Sequence, residues 1–186
     1  MSTLQIDYDS QDARGRLREI GEEKPATAES RPLRLAGPYD GLAIAIIGPN
    51  EEQRNDMAKA LVAYGCKDVH AFSSYPPSLD ETPSLLMETH NLVIIELDTD
   101  PEFAISLVGA VVAAGTPTDT VMVFSEKAAP DLLLRCMRAG AREFLVPPFG
   151  SSSLSEALNR AAARQAVEIT TLAEAEAEAE IRAATG

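Results

Sequence analysis

The feature that most narrows what this chain can fold into is a set of short apolar runs, each closed by a turn or a polar residue. Leu42 to Ile47 is continuously apolar and stops at Gly48-Pro49, Leu92 to Ile95 stops at Glu96, and Thr120 to Phe124 stops at Ser125. Runs of this length without polar alternation read as strands buried on both faces, as in a parallel sheet. Helical spacings lie between them. Asn50 offers an N-cap with Gln53 three residues on, and Met57, Leu61, Ala58 and Val62 make the stripe of a helix that stops near Gly65. Asp100-Pro101 supplies a cap and a first-turn proline for a helix from Glu102 to Ala114. Pro130 opens another through Leu134 and Met137 to Gly140, and Ser153 with Glu156 makes a capping box for the last. Short strands at Val69 to Phe72 and Phe144 to Val146, with a weak helix around Leu85 to Glu88, complete five strand-helix units. The alternation predicts an α/β fold: a five-stranded parallel sheet, doubly wound in three layers through right-handed crossovers, with an extended C-terminal helix.

Residues 1 to 39 mix charges without a sustained apolar face, and Pro25, Pro32 and Pro38 interrupt any long element, so this segment reads as a mobile arm. A helix from Gln11 to Glu23 would have only Leu17 and Ile20 to bury. The expected organisation is an arm over 1–39, a domain over 40–165, and a helical extension or linker over 166–186. Sixteen basic against 29 acidic side chains give a net charge of −13, and the four lysines are scattered, which argues against a nucleic-acid partner. No stretch reaches the roughly 18 apolar residues of a membrane span. The N-terminus carries Asp7 and Asp9 where a signal sequence would be basic and then apolar, so a cytoplasmic location is expected. Cys66 and Cys136 lack CxxC spacing and read as reduced and buried.

In such sheets ligands sit beyond the carboxyl ends of the strands. Those positions hold Gly48 and Pro49, Glu96, Ser125 and Pro147-Pro148. One carboxylate and one hydroxyl do not make a divalent-cation site. Asp98 and Asp100 lie just past Glu96, but Asp100 is better used as a helix cap. His70 and His90 with Ser73, Ser74 or Ser125 suggest a hydrolase triad only superficially, because no G-x-S-x-G elbow occurs and His70 falls in a strand. No G-x-x-x-x-G-K-[ST] loop is found, and Gly48-Pro49-Asn50-Glu51-Glu52 puts two acids where a flavodoxin-like cofactor's phosphate would sit.

The order of these strand ends, the run Met137-Arg138-Ala139-Gly140-Ala141-Arg142-Glu143-Phe144-Leu145 and the closing Pro147-Pro148-Phe149 resemble the receiver domain of two-component response regulators, the CheY-like fold, over about residues 41 to 165. Gly48-Pro49-Asn50-Glu51-Glu52, Phe72-Ser73-Ser74-Tyr75-Pro76, Leu97-Asp98-Thr99-Asp100-Pro101 and Ser125 with Pro130 to Met137 are more narrowly similar to the atypical receiver at the N-terminus of TadZ/CpaE-type pilus-assembly ATPases. The resemblance implies a degenerate phosphoacceptor pocket. Gly48 and Pro49 stand where a working receiver has two Mg²⁺-binding acids, Glu96 replaces the phosphoacceptor Asp, and Pro147 replaces the Lys. Ser125 keeps the hydroxyl that follows the phosphoryl group, Phe144 takes the aromatic switch position, and a cis peptide is implied between Pro147 and Pro148.

With the acids and the Lys lost together, neither Mg²⁺ binding nor phosphotransfer is expected, nor any other cofactor or enzymatic activity. Glu96 then has two readings: a fixed anion near Ser125 that locks the loop after strand four, or a solvated acid at a strand end. The implied function is a protein-interaction and dimerisation module in signal transduction or in Flp/Tad-type pilus assembly and localisation, docking to pilus or secretion machinery. The alternative is a phosphorelay receiver that still accepts a phosphoryl group from a histidine kinase, at Asp98 or by an unusual route. A homodimer is expected through the last helix or the helix-four face. Leu158, Ala162, Gln165, Ile169, Leu172, Glu176, Ala179 and Ala183 form an imperfect a/d seam on that helix. Helix is expected from Ser153 to about Leu172 with a looser end, because Ala173 to Glu180 sets glutamates at the repulsive i,i+4 spacing. A competing reading ends it near Ala163. Leu132, Leu133, Cys136, Met137 and Phe144 are the helix-four and strand-five positions to check, most of them expected in the core.

Overall fold

The computed structural model describes residues 37–80, 82–127, 129–150 and 152–185. The apolar runs form the central strands β1 (Ala43–Ile47), β3 (Leu92–Glu96) and β4 (Thr120–Phe124), and β2 (Asp68–Phe72) and β5 (Glu143–Leu145) form the edges. All pairs are parallel, in the order β2-β1-β3-β4-β5. Alternation along each central strand divides the core into two layers. Ile44, Ile46, Leu92, Ile94, Met122 and Phe124 face Met57 and Leu61 of α1 (Glu51–Ala63) and Leu154, Ala157 and Leu158 of α5 (Ser152–Thr185). Ala45, Ile47, Val93, Ile95, Val121 and Val123 face Leu86 of α2 (Thr82–Thr89), Leu107 and Val111 of α3 (Pro101–Ala114), and Leu132 and Cys136 of α4 (Pro130–Ala139). A sheet this apolar on both faces is stable only when covered twice, which produces the three-layer α/β fold.

The caps act as their residue types require. Asn50 and Asp100 accept the backbone N–H groups of Gln53 and Phe103, and Pro101 and Pro130 open their helices. Gly140 ends α4 at φ +108°, where a Cβ would also lie 2.9 Å from Val112, so the turn into β5 requires glycine twice over.

Several boundaries depart from the sequence expectation. The domain begins before residue 40: Tyr39 is buried, its hydroxyl donates to Asn159 Oδ1 at 2.9 Å, and the Gly37 N–H donates to Asp40. The Gln11–Glu23 segment lies outside the described residues. β5 starts and stops one residue earlier than expected, leaving Val146 exposed before the prolines. α5 begins at Ser152, so Ser153 stands in its first turn and is not the cap. The helix also continues unbroken to Thr185, neither ending near Ala163 nor loosening after Leu172. The helix propensity of Ala and Glu outweighs the i,i+4 repulsion, which costs only a few tenths of a kcal/mol per pair.

Candidate functional site

The site lies where β1, β3 and β4 end, at the point where the strand order reverses. Gly48 leaves β1 with no side chain, and a Cβ there would stand 2.8 Å from Glu96 Cβ. Glu96 fills that space. Its side chain is fully buried, Oε1 accepts the Thr99 N–H at 2.7 Å, and Oε2 takes a longer 3.3 Å bond from the Tyr75 hydroxyl. The same hydroxyl donates to the Glu96 backbone carbonyl at 2.8 Å. Burial first, and the Glu96 charge second, push the Tyr75 phenol well above its ordinary pKa, so it remains a donor. Both expected readings of Glu96 are therefore corrected. It is not solvated, and its partners are Thr99 and Tyr75, not Ser125. A carboxylate at that depth is tolerable only when donors reach it, and the β3–α3 turn and the β2–α2 loop supply them.

The partner of Ser125 is Asp98. Ser125 is buried and donates its Oγ–H to Asp98 Oδ1 at 2.6 Å, while Oδ2 accepts from the Glu126 N–H at 2.8 Å and from Gln53 Nε2 at 3.1 Å. The Lys127 N–H closes the loop by donating to Ser125 Oγ at 3.0 Å. Burial opposes ionisation of Asp98, but the bonds from Ser125, Glu126 and Gln53, with the Lys127 charge, outweigh it and hold its pKa below the usual carboxylate range. Gln53 is thereby drawn away from a reciprocal capping box. Its backbone N–H bonds to Asn50, its amide reaches Asp98, and its buried Oε1 has no hydrogen-bond partner among the described residues.

Of the sequence-marked positions, the fold brings Gly48, Glu96 and Ser125 to one end of the sheet. Pro147 and Pro148, joined by a cis peptide, line a neighbouring cleft with Glu52, Gln53, Asp56, Lys59 and Glu126. Pro49 leads into the Asn50 cap, and Arg54 donates to the carbonyl of Gly48 at 2.6 Å, fixing the β1–α1 turn. Phe144 is half-buried against the α3/α4 layer. Sequence reasoning missed Tyr75 and Gln53, and weighed Asp98 only as a metal ligand or phosphoacceptor. The available signals were an aromatic inside an otherwise turn-rich loop, and a second acid two residues beyond a buried strand.

A Mg²⁺ ion does not fit this residue set. Gly48 and Pro49 offer no carboxylate, the Glu96 oxygens are taken by Thr99 and Tyr75, and those of Asp98 by Ser125, Glu126 and Gln53. Among the described residues no group of three or more His, Cys, Asp or Glu side chains is arranged to hold a metal, and no helix is long and apolar enough to cross a membrane. Both cysteines are free and buried, and burial pushes the Cys66 thiol up to about 11 and raises that of Cys136.

No family model and no curated protein matches the chain. Its likeness is to solved structures. A protein described as pilus assembly-related from Burkholderia pseudomallei is 21% identical with a TM-score of 0.57, over 69% of this chain and 93% of that one. A CpaE pilus assembly protein from Burkholderia thailandensis is 20% identical with a TM-score of 0.53, over 64% and 97%. A CheY-like protein, TadZ, from Pseudomonas aeruginosa is 24% identical with a TM-score of 0.52, over 63% and 97%. Together with the sheet order and the five strand-helix units, these likenesses show that the chain has the CheY-like receiver fold.

Proposed function

We propose that this chain is a receiver-like module switched by no phosphoryl group, acting through protein contacts in signal transduction or in Flp/Tad-type pilus assembly and localisation. One observation carries the reading. The Ser125 hydroxyl, which in a working receiver would follow the phosphoryl group, is already held at 2.6 Å by the carboxylate of Asp98. A permanent internal anion takes the place of a transient one, and the β4–α4 loop keeps a single resting arrangement. The chemistry lost at Gly48, Pro49 and Pro147 acts in the same direction, because phosphoryl transfer depends on metal and cation to stabilise charge. Attack by Asp98 itself would first require release of its three hydrogen bonds. The module is accordingly non-enzymatic and needs no Mg²⁺.

Surface chemistry supports the interaction role. On the α4–β5 face, Leu133, Leu134 and Met137 are exposed and line one shallow cleft with Pro130 and Phe144, while Leu132 and Cys136 turn into the core. This face is more open than the sequence suggested. On α5, Leu158 and Gln165 are buried in the domain and Gln165 Nε2 donates to the Thr118 carbonyl, so the first part of the expected seam is used internally. After Gln165 the positions whose burial is described, including Val167, are exposed. The side chains of Ile169, Leu172, Glu176, Ala179 and Ala183 lie outside the described residues. Two of the similar structures are described as pilus assembly-related or pilus assembly proteins, which supports that setting alongside a general signalling one.

Light scattering on the full chain and on a version ending at Arg164 tests the interaction role. A dimer that becomes monomer on truncation places the contact on α5, and a dimer in both places it on the α4–β5 face. Monomers at every concentration would overturn self-association.

A further inference from the structure

The last helix outruns the domain it packs on. Gln165 is the last residue of α5 with described burial in the core, yet the helix runs on to Thr185, about 30 Å further along its axis. Most helical stability in proteins comes from packing one face, so a segment that leaves its domain calls for a surface to lie on. Its charges indicate which one. Arg160, Arg164, Val167, Thr171, Glu174 and Glu178 follow one another at spacings of four and three, the repeat that keeps positions on one side of a helix. This stripe flanks the face that Leu158, Ala161 and Gln165 bury in the domain. Arg160 and Thr171 are exposed, and Val167 is 64% exposed. Read from its two ends the stripe is the same with signs inverted: two arginines, then Val167 and Thr171, then two glutamates. One turn further out, Glu156 and Arg182 continue the pattern with the signs exchanged. The basic half is also short of anions. Arg160 is paired with Glu143, but the Arg164 guanidinium donates to a hydroxyl, Thr120 Oγ1, at 3.1 Å. Burial and the Arg142 and Arg160 charges lower the Arg164 pKa, and Glu143 opposes them without prevailing.

We infer that this stripe pairs with itself: α5 of a second copy lies antiparallel across it, about a two-fold axis level with residue 169. Under that axis position 160 stands opposite position 178 of the second copy, 164 opposite 174, 167 opposite 171, and 156 opposite 182. Every charged position on the stripe then faces its opposite, and two-fold symmetry makes each pairing twice. Parallel helices in register would set Arg on Arg and Glu on Glu, so the same residues that favour one direction penalise the other. The second copy's arginines also come to the level of Glu174 and Glu178, which repel each other at i,i+4 within one helix. Such exposed pairs fix direction and register more than they add affinity. The inference rests on the self-association proposed above and gives it a face, a direction and a register.

The test traps the pairing with disulfides. Val167→Cys and Thr171→Cys variants of the full chain are mixed in equal amounts in a thiol–disulfide buffer, where the native Cys66 and Cys136 are buried. Intact mass without reductant should show mainly the mixed dimer, one chain of each variant. An excess of Val167→Cys chains joined to themselves would mean parallel helices and overturn the pairing. Light scattering on the same chains without oxidant separates this inference from the reading it rests on. Dimers that yield no mixed disulfide would overturn the antiparallel pairing and leave self-association to another face, whereas monomers would overturn both. Arg160→Glu with Arg164→Glu, folded by circular dichroism, should raise the dimer dissociation constant about tenfold or more. Adding Glu174→Arg and Glu178→Arg to the same chain should restore it. Unchanged association in the first variant, or no recovery in the second, would overturn the charge register.

Discussion

At the carboxyl end of the sheet, Ser125, Gln53 and the Glu126 N–H all converge on Asp98, and the Glu96 oxygens are taken by Thr99 and Tyr75. On the α4–β5 face, by contrast, Leu134 is half exposed and Leu133, Met137 and Val146 show comparable apolar surface to solvent. The first region has turned its polar groups inward and bonded most of them to one another, the Gln53 Oε1 being the exception among the described residues. The second has left apolar groups outward, exposed among the described residues. The difference separates two kinds of surface: at the strand ends the polar groups have become part of the fold, whereas on the α4–β5 face apolar groups stand open to solvent, which is one face where the proposed contacts would form.

The contrast can be broken most severely at Gly48. Gly48→Asp restores an acid after β1 but drives a Cβ into Glu96 Cβ, which is fixed to the β3 backbone and cannot swing aside. A loss of about 3 kcal/mol is expected, read from urea unfolding. Asp98→Ala leaves Ser125 and Gln53 without their acceptor and should cost about 2 kcal/mol, with faster exchange of the Glu126 amide hydrogen. Because folding lowers the Asp98 pKa, its contribution is complete above the unfolded value near 4 and is lost as pH falls through the folded value. Stability of the wild type relative to Asp98→Ala should therefore be flat between about pH 5 and 8 and converge in acid. Tyr75→Phe removes the hydroxyl from Glu96 and should cost about 1 kcal/mol by the same unfolding measurement. Smallest is Leu134→Glu, on the open face, with a change within about 0.5 kcal/mol. Its effect should appear only in self-association, and only if the α4–β5 face carries the contact.

The architecture was legible because the three apolar runs and the helix caps are local signals, and the two-sided burial of β1, β3 and β4 follows directly from them. That Gly48, Glu96 and Ser125 share one end of the sheet was also legible, since a strand end is a position in sequence. The pairing among them was not. Whether Ser125 meets Glu96 or Asp98 depends on which carboxylate the depth of β3 admits to the interior, and on Tyr75 arriving from a loop with no periodicity. The extended C-terminal helix was legible, but not its full reach to Thr185, because like-charge spacing was given more weight than the backbone preference of Ala and Glu.

Whether Asp98 has made the pocket a closed structural network is read from the intact mass of the full chain after incubation with acetyl phosphate, with and without Mg²⁺. A closed pocket gives no gain in mass under either condition. A Mg²⁺-dependent gain of one phosphoryl group, abolished by Asp98→Asn, would contradict it and return the chain to the phosphorelay.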